Sequence, residues 1–330
     1  MSKLNISIIA ILAVIIIALG GFWFSNQSKN NPNITQSSTV PTIKVGYQKA
    51  VQGISLFSMI ENKLPEKYGF KVELVGQTTS SEGVNNLISG ATDISYTQGN
   101  DVVFEAIAKD PNQIKFLNLL DDKIDRPWSS IIVTENSGIN SPKDLEGKKL
   151  LVQTGPTSEK VARKYLSTNG VDVNKIEFIP LAFTTHLDVL GSGQATAAYT
   201  FEPNITNGAK KLKTRILVPG MGPQVGLKTV SGSLISNKFL TQKPELAKKF
   251  QQAMDESLDF VNQNETQART FLPKYLGIDE ELAKTVIVSK FLKSTEMTPE
   301  ILQEYVEKSN EVGNLTAATK NINFKEALYR

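Results

Sequence analysis

The stretch ATDISYTQGNDVVFEAIAKD (91–110) decides the fold class of this chain. Its first part, ATDISYT (91–97), predicts a short strand, and NDVVFEAIAKD (100–110) predicts a helix that ends before Pro111. A strand that leads directly into a helix is the building unit of α/β proteins, whose helices cover a mainly parallel sheet. The stretch therefore predicts an α/β fold with a polar turn at the end of the strand.

The same alternation of strands and helices extends through most of the chain. Before the polar break DDKIDRP (121–127), it predicts strands at 42–47, 70–76, 91–97 and 114–120 and helices at 54–64, 80–90 and 100–110. After the break, it predicts strands at 128–135, 150–154, 175–181 and 195–201 and helices at 157–170 and 184–193. The tail predicts helices at 244–264, 280–293 and 298–313.

This order of elements indicates two lobes. The Gly/Pro-rich stretch VPGMGPQVG (218–226) ends the second set of strands and helices, and the helical tail is expected to return to the first lobe. We therefore assign residues 42–127 and 226–330 to lobe I and residues 128–225 to lobe II.

The N-terminal segment 6–24, ISIIAILAVIIIALGGFWF, contains no charged residue. As a helix it would reach roughly 28 Å, about one hydrocarbon thickness. Two interpretations stay open for residues 1–24: an uncleaved transmembrane anchor, favoured by Phe22 to Phe24, or a signal peptide cleaved near Ala18 to Gly20. Residues 25–41 form a flexible polar linker, so the body is expected at the extracytoplasmic face of the cell membrane, or secreted or periplasmic if the leader is cleaved.

Composition excludes several kinds of site. The chain has no cysteine and one histidine, which leaves no thiolate nucleophile, no disulfide and almost no means of building a zinc site or a Ser-His-Asp triad. The net charge is +3, and removing Lys3 and Lys29 leaves +1 for the body, which argues against a nucleic acid partner. We expect no catalytic residue, no metal, no cofactor and no enzymatic activity.

Small hydroxyl and amide residues recur at the predicted strand-to-helix turns. In open α/β sheets, ligands bind at the carboxyl ends of strands, where helix N-termini present unpaired N–H groups. Plain helix capping explains any single one of these residues, but their recurrence in both lobes favours a shared pocket. The candidates are Gln48, Ser80, Ser81, Thr97, Gln98, Asn100, Thr154, Thr157, Ser158 and Thr185. Tyr96 either stacks on a ring-shaped ligand or belongs to the core.

Four stretches resemble one protein family. They are GYQK (46–49) before an apolar helix, GVNNLISGATDISYTQGND (83–101), SGINSPKDLEGKKLLVQTGPTSEKVARKYL (137–166) and TTHLDVLGSGQATAAYTFEPN (184–204). In order and spacing they are similar to the solute-binding proteins of ABC importers for sulfonates, taurine, nitrate and thiamine-pyrimidine precursors. The resemblance covers about residues 42–320.

This resemblance implies a type II-like periplasmic binding protein, a two-lobed clam-shell with parallel-rich sheets that captures a small solute and delivers it to an ABC permease. It adds Glu202, in the step Phe201–Glu202–Pro203, to the ligand contacts. Ala195–Thr196–Ala197 replaces a segment that often holds an acid, and Phe201 stands where tryptophan is common, so the ligand stays open. We expect a monomer that captures a small polar or anionic organic solute by hinge closure.

Two other classes of function stay open. An enzyme of thiamine-pyrimidine-precursor synthesis shares the resemblance, but the cysteine-rich signature of that branch is absent. A ligand-sensing ectodomain would need a cytoplasmic output domain, and five residues precede the apolar run. Cell fractionation separates the first from a binding protein, and neighbouring permease and ATPase genes separate transport from sensing.

Overall fold

A computed structural model of the protein contains two β-sheets in its described part. The structure describes residues 40–330, so the predicted anchor or signal segment (1–24) and nearly all of the linker (25–41) lie outside the described residues. Residues Pro41–Arg330 form one compact unit. Within the described part, no helix has both the length and the apolar composition that crossing a bilayer requires.

The eight predicted strands are present, whereas three further strands, at Thr214–Pro219, Thr229–Ser236 and Phe291–Leu292, lie where no strand was predicted. The strands are β1 (Thr42–Tyr47), β2 (Lys71–Gly76), β3 (Ile94–Gly99), β4 (Ile114–Asp121), β5 (Ser129–Thr134), β6 (Lys149–Gln153), β7 (Glu177–Leu181), β8 (Ala197–Phe201), β9 (Thr214–Pro219), β10 (Thr229–Ser236) and β11 (Phe291–Leu292).

The helices cover the sheets and form most of the C-terminal part. They are α1 (Ile54–Glu61), α2 (Leu64–Tyr68), α3 (Ser80–Ser89), α4 (Asn100–Lys109), α5 (Pro156–Thr168), α6 (His186–Gly191), α7 (Asn204–Leu212), α8 (Met221–Gln224), α9 (Asn237–Gln242), α10 (Pro244–Gln263), α11 (Glu265–Arg269), α12 (Leu272–Leu276), α13 (Glu280–Ala283) and α14 (Pro299–Val312). Short 3₁₀ helices lie at Val51–Gly53, Glu135–Ser137, Pro142–Leu145, Val173–Lys175, Phe183–Thr185 and Ala317–Asn321.

Both sheets are mixed rather than parallel-rich, which corrects the sequence-based prediction. The larger sheet has the order β11-β4-β10-β3-β1-β2, and the smaller sheet has the order β7-β6-β8-β5-β9. In the larger sheet, β1 pairs in parallel with β2 and β3, but β10 enters antiparallel between β3 and β4. In the smaller sheet, β5 lies antiparallel between β8 and β9. Strand periodicity carries no information on which distant strand becomes a neighbour, so this insertion was beyond sequence analysis.

Two neighbouring connections join the sheets. The chain leaves the larger sheet at 122–128 and returns to it at 220–228. The backbone N–H of Asp122 donates to the carbonyl of Lys228 over 2.7 Å, and that of Gly220 donates to the carbonyl of Ser129 over 2.9 Å. Strands β1 to β4, β10 and β11 therefore lie in the larger sheet and β5 to β9 in the smaller sheet, while the division of the chain into lobes I and II stays a prediction.

The helix predicted at 280–293 is wrong after its first turn. Helix α13 ends at Ala283, and the chain then extends to β11, in which Phe291 pairs with Leu120 of β4. Val286, Val288 and Phe291 are buried in this extended form. The β-branched run TVIV (285–288) favours extended backbone, and the free edge of β4 offers it a hydrogen-bonding partner.

The apolar core is continuous across the two sheets. One cluster combines Val103 and Phe104 of α4 with Ile131 of β5 and Leu150 of β6, and it includes Tyr305 of α14. A second cluster buries the other face of the larger sheet under α1 and α10. Packing on both faces holds the ends of the strands in place, and these ends form the walls of the cavity described below.

Candidate ligand-binding site

A cavity of about 180 Å³ lies where strands of both sheets end. Its wall combines residues that follow β1, β2 and β3 of the larger sheet with residues that follow β6, β7 and β8 of the smaller sheet. The volume is far above the roughly 10–15 Å³ that one water requires, so a small organic molecule fits. The polar side chains of the wall are Gln48, Gln52, Thr79, Ser80, Ser81, Thr97, Ser129, Gln153, Thr154, Thr157, Ser158 and Ser231.

Three helices begin at this cavity. The N-cap residues of α3, α4 and α5 are Thr79, Gly99 and Gly155, and all three line the wall. The hydroxyl of Ser80 accepts a hydrogen bond from the backbone N–H of Gly99 over 2.9 Å, which ties the starts of α3 and α4 together. First-turn N–H groups carry partial positive charge, so the three helix starts favour an anionic or polar ligand atom in the cavity.

An aromatic cluster forms part of the wall. The ring of Trp128 stacks on Phe201 with centroids 4.8 Å apart and planes inclined by 21°. Phe183 packs edge-on against Phe201 at 5.8 Å, and Tyr199 lies 5.5 Å from the same ring. This wall suits the apolar or aromatic part of a ligand, because such rings bury large apolar areas and stack on other rings.

Thr97 is held in an unusual backbone conformation at the cavity. It lies in β3, two residues before the end of the strand, in the left-handed region with φ of 52°, and this conformation costs a β-branched residue energy. Strain of this kind concentrates at functional sites, where the surrounding structure enforces it. Thr97 is therefore a stronger candidate ligand contact than a threonine in a relaxed conformation would be.

The cavity wall has no formal charge among the residues that the structure describes. No Asp, Glu, Lys, Arg or His side chain lines it. Two carboxyls lie directly behind the wall: Asp101 accepts from the wall residue Tyr305 over 2.7 Å, and Asp122 accepts from the wall residue Ser129 over 3.4 Å. Burial raises the pKa of Asp101, and it raises the pKa of Asp122 to about 8. Near neutral pH, Asp122 therefore favours its neutral form, which limits its repulsion of an anion.

The structure brings most of the predicted site residues together. Those on the wall are Gln48, Ser80, Ser81, Thr97, Thr154, Thr157 and Ser158. The others are off the wall: Gln98 and Asn100 are fully buried, and Asn100 Nδ2 donates to the carbonyl of Thr229 over 3.0 Å. The hydroxyl of Thr185 donates to the carbonyl of Ala182 over 2.8 Å within its own turn. Tyr96 lies in the core, where its hydroxyl is hydrogen-bonded to the hydroxyl of Ser55, and burial raises the pKa of Tyr96.

Glu202 also lies off the wall, in a capping and bridging position. Its carboxylate accepts from the hydroxyl of Thr206 over 2.7 Å and from the backbone N–H of Ile287 over 3.3 Å. Burial raises its pKa to about 7. Because Ile287 belongs to the segment that leads to β11, Glu202 links the smaller sheet to the C-terminal part of the chain.

Sequence reasoning missed several wall residues. Gln52 lies in the 3₁₀ helix after β1, and Ser231 lies in β10, far from any predicted strand-to-helix turn. Tyr305 reaches the cavity from α14. The position of Phe183 just after β7 could have identified it as a wall residue. No local feature of the sequence could have identified Ser231 or Tyr305, because their positions depend on how the chain after residue 228 packs against the larger sheet.

A match to a known protein family shows which family this chain belongs to. Residues 66–268 match the NMT1/THI5-like family. The chain belongs to the NMT1/THI5-like family. The family resemblance predicted from the sequence is therefore confirmed. The matched range includes the starts of α3, α4 and α5 and the aromatic cluster, all of which line the cavity.

Proteins that are named as binding proteins are similar to this chain over most of its length. A Bacillus subtilis (strain 168) protein that is named as an aliphatic sulfonates-binding protein is 23% identical over 319 residues, which cover 96% of this chain and 91% of that protein. The structure of the alkanesulfonate-binding protein SsuA from Xanthomonas axonopodis pv. citri bound to MOPS superposes with a TM-score of 0.70 at 17% identity and covers 88% of this chain and 98% of that chain. The nitrate-binding protein NrtA from Synechocystis PCC 6803 gives a TM-score of 0.66 at 15% identity, covering 86% and 84%. The fold is therefore the α/β periplasmic binding protein fold.

Proposed function

We propose that this chain is the extracytoplasmic solute-binding component of an ABC importer and that it captures a small polar or anionic organic solute. The observation that carries the proposal is the cavity itself, which is enclosed by strand ends of both sheets and by the starts of α3, α4 and α5. The names of the relatives point to sulfonates and nitrate-like anions. Pyrimidine-like rings are a further solute class, which the family resemblance of the sequence implies.

Each wall of the cavity has a separate role in this proposal. Helix N–H groups and the hydroxyls of Ser80, Thr157 and Ser158 replace the hydration shell of the polar end of the solute. Trp128 and Phe201 hold its apolar or aromatic part. The charge of an anion is stabilised by helix starts and neutral hydrogen-bond donors, since the described wall has no cationic side chain.

Capture proceeds by closure about the two connections at 122–128 and 220–228. A solute that contacts both sheets binds the closed state more tightly than the open one and shifts the population towards closure. The closed form is then the one that the membrane permease recognises. The N-terminal segment 6–24 either holds the protein at the outer face of the membrane as an uncleaved anchor or directs its export as a signal peptide that is then removed.

The non-enzymatic role is favoured over precursor synthesis. Nucleophilic catalysis needs a nucleophile beside a base. The chain has no cysteine, and its one histidine, His186, is fully buried off the cavity wall, where burial lowers its pKa to about 4. The binding relatives point the same way.

Thermal unfolding of the full-length protein in the presence of sulfonates, nitrate and pyrimidines tests the proposal. A solute at about 100 times its Kd adds about 2.7 kcal/mol to the free energy of unfolding, which raises the midpoint by several degrees. A flat response across the whole panel would count against a solute-binding role.

A matched pair of variants locates the binding. Ser158→Ala, at the start of α5 on the wall, should weaken the solute that binds by about 3- to 10-fold through loss of one hydrogen bond. Ser167→Ala, at the exposed other end of the same helix, should leave the affinity unchanged. Equal effects of the two variants would place the solute elsewhere.

A further inference from the structure

The amide of Gln52 is the most incompletely bonded polar group at the cavity. Gln52 lines the wall and is only 6% exposed, yet neither its Oε1 nor its Nε2 has a hydrogen-bond partner among the described residues. Burying an amide without partners costs free energy, so folded proteins satisfy such groups. A partner supplied by a bound molecule accounts for both free atoms at once.

Other buried glutamines of this protein show that Gln52 is exceptional. Gln98 donates to the carbonyl of Tyr96 over 2.8 Å. Gln77 donates to Ser95 over 3.4 Å, and Gln251 donates to Asp255 over 3.0 Å. The fold therefore provides at least one partner to each buried glutamine away from the cavity, and it leaves both amide atoms of Gln52 without one.

Two further polar groups of the wall are free in the same way. The hydroxyl of Ser231 is buried, with 5% of the residue exposed, and has no partner within residues 40–330. The indole N–H of Trp128 is enclosed and has no acceptor there. Together with Gln52, these groups offer two donor nitrogens, which carry three N–H bonds, one acceptor oxygen, and one hydroxyl that can donate or accept.

We infer that the solute presents a hydrogen-bond donor, an N–H or O–H group, to Gln52 in addition to acceptor atoms, and that Gln52, Trp128 and Ser231 select it. This inference rests on the proposed function and narrows its solute class. A solute with acceptors only, such as nitrate or an unsubstituted alkanesulfonate, bonds the Nε2 of Gln52 and leaves its Oε1 unpaired. A hydroxyl- or amino-bearing solute satisfies both atoms, and exchanging the O and N of the amide does not alter this conclusion.

Matched pairs of probes that differ by one donor test the inference. The pairs are ethanesulfonate with 2-hydroxyethanesulfonate, benzenesulfonate with 4-aminobenzenesulfonate, and pyrimidine with 4-aminopyrimidine. Calorimetric titration of the full-length protein gives Kd for each member. We expect the donor-bearing member of the binding pair to bind at least about tenfold more tightly, because a site built to pair a donor rejects the analogue that lacks it.

Variants then assign the preference to Gln52. Gln52→Leu should reduce the ratio of the two Kd values to near one, mainly by weakening the donor-bearing member. Gln251→Leu, at a buried glutamine of α10 off the cavity wall, should keep the ratio of the wild type. Circular dichroism and the unfolding midpoint without solute check that both variants fold, and Gln52→Met is the substitute should the leucine variant fail to fold.

The outcomes separate the inference from the function on which it rests. Equal Kd values within a binding pair, or a preference that persists in Gln52→Leu, would overturn the inference and leave solute binding intact. Absence of binding by every probe, combined with a flat thermal response to the wider panel, would overturn the proposed function and the inference with it. A donor preference that disappears only in the Gln52 variant supports both.

Discussion

The hydroxyl of Tyr305 donates a hydrogen bond over 2.7 Å to Oδ1 of Asp101, the second residue of α4. The hydroxyl of Ser309, one turn further along α14, donates to the same oxygen. At the end of α14, the carbonyl of Gly313 accepts from Nζ of Lys160 in α5 over 2.7 Å. Helix α14 thus contacts both α4 and α5, whose starts face the cavity, although one belongs with the larger sheet and the other with the smaller.

Tyr305→Phe is expected to lower the free energy of unfolding by about 1–3 kcal/mol, because it removes a donor from a carboxyl that is buried. Urea unfolding measures the change. Tyr68→Phe is the control, since Tyr68 donates over 2.8 Å to Glu256 at the surface, where water replaces the lost bond. Equal losses in the two variants would contradict the proposed importance of the Tyr305–Asp101 bond.

Thr97→Gly is expected to raise the free energy of unfolding by about 1 kcal/mol while weakening solute binding. Glycine adopts positive φ without the steric cost that threonine has, and this gain exceeds its larger loss of backbone entropy. Lys213→Gly relieves a similar conformation, with φ of 50°, off the cavity wall, and it should stabilise the protein with no change in Kd. Unchanged affinity of the Thr97 variant for the solute would show that Thr97 does not contact it.

The emission of Trp128 should report occupancy of the cavity. Trp128 lines the wall, and the chain has two tryptophans. A solute that packs against the Trp128–Phe201 stack changes the polarity around the indole, so its fluorescence intensity or emission maximum should change on titration. Trp23→Phe should keep this response, and Trp128→Phe should abolish it. A response that survives in the second variant would place the solute away from Trp128.

Asp122 is expected to make the protein less stable as pH rises. Burial raises the pKa of its carboxyl to about 8, whereas the unfolded chain has a value of about 3.9. Between these two values the folded chain keeps a proton that the unfolded chain has lost, so the free energy of unfolding falls as pH rises through this window.

Comparison with Asp122→Asn isolates this effect. The variant cannot lose a proton at this position, so its free energy of unfolding should fall less than that of the wild type between about pH 5 and about pH 8. Glu202 and His186 titrate in both proteins and cancel in the difference. Asp125→Asn, at an exposed carboxyl of the same connection, is the control and should behave as the wild type. Parallel pH profiles of the wild type and Asp122→Asn would contradict the assignment.

Local signals in the sequence were sufficient to predict where many helices begin and end. The capping box of Ser141 and Asp144 is present, although it begins a 3₁₀ turn. Thr298 caps α14 by accepting from the backbone N–H of Ile301, and Gly313 ends the helix, so the prediction at 298–313 is nearly correct. Caps and helical periodicity depend on neighbours within one or two turns, and the sequence displays those directly.

Contacts between distant segments decided what the sequence left open. The insertion of β10 between β3 and β4 placed Ser231 at the cavity, and the return of the tail placed Tyr305 there. Among the predicted candidates, Asn100 and Glu202 carry suitable chemistry, but their side chains turn towards Thr229, Thr206 and Ile287 rather than the cavity. Residue type and position at a turn cannot reveal such a direction.

By itself, the sequence determined the class of fold, the family and the strand-to-helix turns at which polar residues gather, because periodicity, capping and motif spacing act over short separations along the chain. Only the tertiary structure decided which strands lie side by side, which of those polar residues face a common cavity, and that Gln52 is enclosed there without a partner. These outcomes depend on packing between segments up to some 200 residues apart, as the bond between Tyr305 and Asp101 illustrates with a separation of 204.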